Sequence, residues 1–513
     1  MKEQTLSSLL FNQVQAHPDA DAIIHGDTRV SYAELWRQIS CLAVLLEQRG
    51  ITPGSRVVLL MDNSIRYVVA YYALLRLAAV VVPLNTGLKG AQLSEVMGHA
   101  EATLLLHDGL LHDGKTRELD TGVSGLQLNV GDAELLDGGV DPRRSLPGDQ
   151  TLSDRSLATI IYTSGTTGKP KGIMLSAGNL LANCLAIIDY LDLQSRDRLM
   201  CVLPFYYAYG NSVLHTHLAA GATLILENSL MYPQRVLQRM AAEQVTGFAG
   251  VPSTFRLLLL RCDLSRIPLP NLRYITQAGG PLAPSDIERL VKCWPQARFF
   301  VMYGQTEATA RLTYLPPDRL RDKAGTVGIP INGVRIKIMD EQGAERARGD
   351  TGEICAAGPN TMLGYWRDSE ASKARFFDEW LRTGDLGYQD EEGFITIVGR
   401  ASDMIKTGDH RVAPEEIEEI IADLPGVEEV AVVGIPDSLL GQVVKAYVVL
   451  AAGSVLDTRQ ILRHCSLQCA PYKIPKAIDF LATLPKTASG KIQRYQLLKS
   501  PTPTGKMYQE DNL

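Results

Sequence analysis

The chain has 513 residues, 45% hydrophobic and 21% charged, with 44 Gly, 26 Pro and 8 Cys. That composition excludes disorder and collagen-like architecture, and at roughly 100 to 200 residues per domain the length predicts several domains, or one composite domain with a smaller partner. Lys plus Arg number 51 against 57 Asp plus Glu, a net charge of −6, so no basic excess points to nucleic acid as a partner.

The start, MKEQTLSSLLFNQ, lacks the basic residues and apolar run of a signal peptide. Ser31 and Glu34 predict a capping box, followed by the helical stripe Leu35, Ile39, Leu42 and Leu46. The most membrane-like stretch, Tyr67 to Leu84, carries Arg76 and Pro83. It predicts a core helix followed by a buried strand, and no transmembrane segment is expected.

Strand and helix alternate through Ile160, Ile225 and Tyr274, which predicts an α/β fold of parallel-rich sheets covered by helices. Gly114 to Asp154, rich in Asp, Gly and Ser, predicts loop and edge hairpins. From Gly325 to Arg400 short alternating runs separated by Gly and Asp turns predict a β-rich subdomain. A new α/β pattern then opens with a helix at Pro414, so the large domain is set at 1–400 and a small one at 401–513, with the boundary at Arg400 to Met404. The cysteines are scattered. The one close pair, Cys465 and Cys469, lacks zinc-site spacing. Reduced thiols in a cytoplasmic protein are expected.

The strongest local signal is Ile160-Ile-Tyr-Thr-Ser-Gly-Thr-Thr-Gly-Lys-Pro-Lys-Gly172, an apolar strand entering a loop of glycine, hydroxyl and lysine. Such a loop suits phosphate. Gly165 and Gly168 let backbone N–H groups approach an anion, Thr163, Ser164, Thr166 and Thr167 can donate, and Lys169 and Lys171 bring charge. It is not a P-loop NTPase motif, because the glycines stand too close and Pro170 follows Lys169.

With Gln277-Ala-Gly-Gly-Pro281, Met302-Tyr-Gly-Gln-Thr-Glu307, Arg382-Thr-Gly-Asp-Leu-Gly387, Gly399-Arg-Ala-Ser-Asp-Met-Ile-Lys406 and Pro485-Lys-Thr-Ala-Ser-Gly-Lys491, this string resembles the adenylate-forming superfamily of acyl-CoA synthetases, peptide-synthetase adenylation domains and firefly luciferase. The resemblance spans nearly the whole chain. It implies an AMP-forming carboxylic acid:thiol ligase that uses ATP and Mg²⁺, first making an acyl-adenylate and then passing the acyl group to a thiol.

By that resemblance Glu307 holds Mg²⁺, Thr306 donates to phosphate, Tyr303 stacks on adenine over Gly279 and Gly280, and Asp385 takes the ribose hydroxyls with Arg400 assisting. Lys491 neutralises charge in the adenylation transition state and leaves when a mobile lid rotates about Asp403. Lys406, Gly408 and Asp409 face the incoming thiol arm. Members of the superfamily usually have glycine where this chain has Asp409, which puts bulk and charge near the thiol path.

The acyl pocket implied by the resemblance is lined by Tyr207, Ala208, Tyr209, Ser212 and Thr309. Ala208 stands where amino-acid-activating relatives place an Asp, so an α-ammonium would be buried unpaired. A neutral fatty, acyl or aryl acid is the expected substrate. The acceptor is coenzyme A or the phosphopantetheine of an acyl carrier protein, between which the sequence does not decide. Asp437-Ser-Leu439 and Arg348-Gly-Asp350 are expected as turns, and His215 and His217 as satisfied core histidines rather than a metal pair. A catalytically silent nucleotide-binding relative would lack Lys491, Glu307 or Asp385, and all three are present. No residue excludes a luciferase-type oxygenase.

Overall fold

The computed structural model describes residues 4–88, 90–109, 126–130, 141–149, 153–164, 170–401, 403–408, 410–437, 439–486 and 492–499. The chain divides into two compact units, Met1–Ile336 with Ala356–Leu381, and Lys337–Cys355 with Arg382–Leu513. Arg400 to Met404, the boundary read from composition, thus lies within the second unit.

The first unit holds two sheets. In the nine-stranded one the order is Ile329–Pro330, Thr313–Leu315, Arg298–Tyr303, Tyr274–Gln277, Gly247–Gly250, Arg198–Cys201, Thr223–Leu226, Asp21–His25 and Thr28–Ser31. From Arg298–Tyr303 across to Asp21–His25 the strands run parallel. They are short and apolar, as strands buried on both faces must be. Val236, Leu237, Phe255 and Leu290 from three helices cover one face.

The seven-stranded sheet has the order Gly364–Tyr365, Pro170–Ser176, Leu157–Ser164, Val80–Pro83, Arg56–Leu60, Leu104–His107 and Leu126–Asn129. Tyr67 to Leu84 forms the expected helix, Ile65–Arg76, and buried strand, Val80–Pro83. Within Gly114 to Asp154 the described residues give an edge strand, Leu126–Asn129, but it pairs parallel with Leu104–His107, so it is no hairpin.

Helix Tyr32–Gln48 buries Leu35, Ile39, Leu42 and Leu46. Only half of the predicted capping box forms. Ser31 Oγ accepts from Glu34 N at 3.3 Å, while the Glu34 carboxylate turns to Arg37 at 2.7 Å and Gln38 at 2.6 Å. A charged partner outcompetes a backbone N–H for the same carboxylate.

His215 and His217 lie buried on helix Ala208–Ala219. His217 is satisfied at both nitrogens, by Val213 O and the Tyr274 hydroxyl, each at 2.8 Å. His215 shares Nδ1 with the Tyr72 hydroxyl at 3.1 Å, but its Nε2 has no partner among the described residues, so this histidine is only half satisfied. Burial pushes the two down to about 3 for His215 and about 4 for His217. Below the unfolded value of 6.5 the unfolded chain takes up protons that the folded chain refuses, so stability is full above that pH and falls as pH drops toward 4. At pH 5.5 each histidine is expected to cost about 1 kcal/mol. Denaturant unfolding at pH 7.5 and 5.5, parent against His217→Gln, reads this as a shallower pH dependence in the variant.

In the second unit Asp385–Gln389, the end of strand Trp380–Gln389, pairs antiparallel with Ile395–Arg400. A further sheet has the order His410–Val412, Ile405–Thr407, Gly441–Leu450, Val427–Asp437, with Ala477–Phe480 beside Gly441–Leu450. Helices Pro414–Ala422 and Thr458–Gln468 bury Ile417, Ile421 and Ile461 against Val432, Val444 and Val448. Asp437 closes the turn after its strand, accepting from Leu439 N at 2.9 Å and Leu440 N at 2.8 Å. Around Arg348-Gly-Asp350, Asp350 N donates to Ala347 O at 3.1 Å and Gly349 has φ +85°, a turn as expected. The eight cysteines are free. Among the described residues no helix is long and apolar enough to cross a membrane, and no group of three or more His, Cys, Asp and Glu could hold a metal.

Candidate active site

The parallel strands of the nine-stranded sheet end together, and past their carboxyl ends come Gly279, Gly280, Tyr303, Thr306, Glu307 and the predicted acyl-pocket residues, the usual place for a ligand on an open α/β sheet. Strand Arg298–Tyr303 ends on Tyr303, which is buried. At Gly304 the chain doubles back so tightly that a Cβ would lie 2.0 Å from Ala310 O. Thr306–Ala308 form a short 3-10 turn, and Thr309 follows at φ +64°, a left-handed backbone that β-branched residues rarely adopt. Its neighbours over-determine it. Thr309 Oγ1 donates to Asn360 O at 2.7 Å, and Asn360 Nδ2 donates to Arg311 O at 2.7 Å. Strain held this way marks functional turns.

Glu307 is tied to the other sheet. Met362 N donates to Glu307 O at 2.8 Å, Leu363 N to Met174 O at 2.9 Å and Trp366 N to Gly172 O at 2.7 Å. Strand Pro170–Ser176 pairs with Leu157–Ser164, placing Thr163 opposite Lys171 and Ser164 opposite Pro170. Gly165, Thr166, Thr167, Gly168 and Lys169 lie outside the described residues, but the stem of their loop adjoins the turn that carries Glu307. Tyr365 OH donates to Glu307 Oε1 at 2.9 Å, Arg375 Nη2 stands 3.8 Å from the same oxygen, and Lys171 Nζ sits 5.0 Å from the Tyr365 ring centre. Both partners address Oε1. Among the described residues none addresses the other carboxylate oxygen, which suits a hard cation, so the residues fit Mg²⁺. Burial, with the Glu307 charge adding to it, holds the Tyr365 phenol well above its ordinary value, so it remains a donor.

Strand Tyr274–Gln277 runs beside Arg298–Tyr303 and opens into Gly279 at φ +92°, a conformation that glycine supplies without strain. Gln277 Nε2 donates to Gly280 O at 2.7 Å, fixing a backbone ledge without side chains beside Tyr303. A flat ring can lie on such a ledge.

Of the predicted acyl-pocket residues, Tyr207 stands at the N-cap of helix Ala208–Ala219, its ring 4.4 Å from that of Tyr206. Ala208 is buried and brings no carboxylate. Tyr209 is held by Thr276, at 2.8 Å to Oγ1 and 3.0 Å to the carbonyl, and the Arg311 guanidinium lies 5.0 Å over its ring. Ser212 Oγ donates back to Tyr209 O at 2.7 Å, and the Thr309 hydroxyl is committed to Asn360, so neither proton is free for a ligand.

In the second unit Asp385 faces Arg400 across a strand pair, Oδ1 to Nε 2.9 Å. The Thr-Gly-Asp run is part of strand Trp380–Gln389. Gly384 N donates to Glu353 Oε1 at 3.0 Å, and Thr383 Oγ1 donates to Ile354 O at 2.7 Å while accepting from Asp385 N at 3.1 Å. Asp403 lies 3.4 Å from Arg494, which also bonds Glu418 at 2.8 Å. Burial raises Glu415 and Glu418, and the Arg494 charge opposes that rise. Lys406 is exposed, and Gly408, at φ +57°, donates to Leu440 O at 2.8 Å. Asp409 and Lys491 lie outside the described residues. Of the residues that flank Lys491, Lys486 bridges Ile492 and Gln493 N donates to Pro485 O at 2.8 Å.

Sequence reasoning missed Tyr365, Arg375, Asn360, Glu353 and Arg494. Each acts on a predicted residue across a long stretch of chain, and local pattern carries no sign of that.

The chain is similar to known proteins over nearly its whole length. The AMP-binding enzyme family matches residues 10–366, and the AMP-binding enzyme C-terminal domain matches residues 416–491. Feruloyl-CoA synthase from Amycolatopsis sp is 34% identical over 495 residues, covering 96% of this chain and 98% of that one. 2-Succinylbenzoate–CoA ligase from Bacillus licheniformis is 33% identical over 488 residues, covering 95% and 98%. Among solved structures, o-succinylbenzoate CoA synthetase from Bacillus subtilis with its acyl-adenylate intermediate superposes with a TM-score of 0.88 at 29% identity, covering 98% of this chain and 99% of that one. ATP-bound MatB from Rhodopseudomonas palustris gives 0.89 at 32%, covering 96% and 98%. With both family segments present in order and full-length relatives above 30% identity, the chain belongs to the AMP-binding enzyme family.

Proposed function

We propose the following division of labour within this AMP-forming acid–CoA ligase, which uses ATP, Mg²⁺ and coenzyme A. A carboxylate oxygen of the acid attacks the α-phosphorus of ATP, the bond to the β-bridging oxygen breaks, and pyrophosphate leaves. The coenzyme A sulfur then attacks the acyl carbonyl and AMP leaves. Two anions must meet in the first step, so preorganised cations and donors set its rate.

The observation that carries this reading is the placement of Glu307. Tyr365 and Arg375 hold one of its oxygens, and backbone hydrogen bonds join its turn to the stem of the glycine-rich loop. Glu307 would hold Mg²⁺, which offsets charge on the departing pyrophosphate. Thr306 donates to the α-phosphate, and Thr163, Ser164 and the loop through Lys169 grip the β and γ groups. Tyr303 and the Gly279–Gly280 ledge take adenine. Asp385, oriented by Arg400, takes the ribose hydroxyls, Lys491 supplies the transferable positive charge, and Asp403 serves as hinge of the 401–513 lid. Lys406, Gly408 and Asp409 face the thiol arm. Tyr207, Ala208 and Tyr209 line the acyl site, with Ser212 and Thr309 shaping it through the backbone. The absence of a carboxylate at Ala208 supports an acid without an α-ammonium.

Glu307→Gln tests this directly. The Mg²⁺ concentration for half-maximal pyrophosphate release should rise by about tenfold or more, while Tyr365→Phe produces a smaller shift in the same direction. An unaltered Mg²⁺ dependence in Glu307→Gln would rule out the metal role.

A further inference from the structure

Arg311 is a cation that the first unit buries without a counter-ion among the described residues. Its residue exposure is 2%, Nε donates to the Tyr190 hydroxyl at 3.1 Å, and Nη1 has no partner among the described residues. The comparison within the same unit is Arg76, equally buried, which has Asp149 at 2.7 Å. A guanidinium withdrawn from water calls for opposite charge, and among the described residues no carboxylate pairs with Arg311. Asn183 and Asn360 both address its carbonyl, at 3.3 and 2.7 Å, so they fix its backbone and bring no negative charge.

The position matters as much as the charge. Arg311 follows Thr306 and Glu307 across the strained Thr309 turn, and its guanidinium lies over the ring of Tyr209, a wall of the acyl site. An aromatic face and one phenol offer a cation only weak compensation. We propose that Arg311 reads a second carboxylate on the substrate, so that the acid activated here is a dicarboxylic acid: one carboxylate becomes the adenylate and the other docks on the guanidinium fork. This departs from the neutral acid expected from sequence, and it rests on the ligase reading given above. A planar fork with two or more donors is the side chain best matched to a carboxylate.

The test compares matched substrates. Pyrophosphate release with ATP and Mg²⁺ is measured for linear and aryl dicarboxylic acids and for their mono-methyl esters, using the parent, Arg311→Met and Arg311→Lys. The parent should favour the diacid over its mono-ester in kcat/KM by about 10- to 100-fold. Arg311→Met should collapse that ratio toward one, and Arg311→Lys, which keeps the charge but loses the fork, should retain part of it. Arg311→Lys also keeps the test open if the Met variant fails to fold. A parent that prefers the mono-esters, or a ratio equal in parent and variants, overturns the assignment and leaves Arg311 a structural residue. Pyrophosphate release with neutral acids only overturns the dicarboxylate reading alone, whereas no release with any acid overturns the ligase reading as well.

Discussion

Lys491→Ala is expected to lower adenylate formation by at least about 10²-fold, approaching 10³-fold, with the folded state intact. The acid carboxylate and the triphosphate repel each other, and charge concentrates on the oxygens around phosphorus as the new bond forms. A fixed ammonium at that point is worth more than it would be in water, since it needs no reorganisation when the charge develops. The motif Pro485-Lys-Thr-Ala-Ser-Gly-Lys491 is rich in small and hydroxyl residues, and its ends are joined by the Lys486–Ile492 bridge and the Gln493–Pro485 hydrogen bond. Thioester formation from preformed acyl-adenylate should fall far less, because the lysine serves the first step. Adenylate formation at the parent rate in Lys491→Ala would remove that role.

Asp149→Ala is expected to destabilise the first unit by about 3 kcal/mol or more, because it leaves a buried charge unpaired. Arg76 is 2% exposed. Its Nε lies 3.0 Å and its Nη2 2.7 Å from Asp149, Nη1 donates to Ser40 at 2.7 Å, and the guanidinium lies 4.3 Å over Trp36. Arg76→Met should cost less than Asp149→Ala, since it removes the charge along with the need for a partner. Denaturant unfolding of both variants decides the matter, and a loss below about 1 kcal/mol in Asp149→Ala would show that the pair is not coupled to stability.

The elements that could be read from sequence are those with local causes. The stripe from Leu35 to Leu46, the proline start at Pro414 and the apolar run ending at Pro83 each state their own structure. Tyr303, Gly279 and Glu307 drew attention through short motifs shared with a family, and the structure puts them at a strand end, a left-handed glycine and a 3-10 turn. What sequence hid depends on distant partners. Glu34 abandons its capping role for Arg37, and Leu126–Asn129 pairs parallel with Leu104–His107. Arg311 shows the limit most clearly. In sequence it is one basic residue after the Thr-Glu pair, and only the fold reveals that it is buried beside Tyr209 with no counter-ion among the described residues.

The most direct measurement is product analysis by mass after incubation with ATP, Mg²⁺ and coenzyme A across a panel of fatty, aryl, amino and dicarboxylic acids. The predicted result is AMP, pyrophosphate and an acyl-CoA thioester in equal amounts for at least one acid, with the amino acids inactive. ADP and inorganic phosphate as products, or adenylate that accumulates while coenzyme A remains unconsumed, would contradict it.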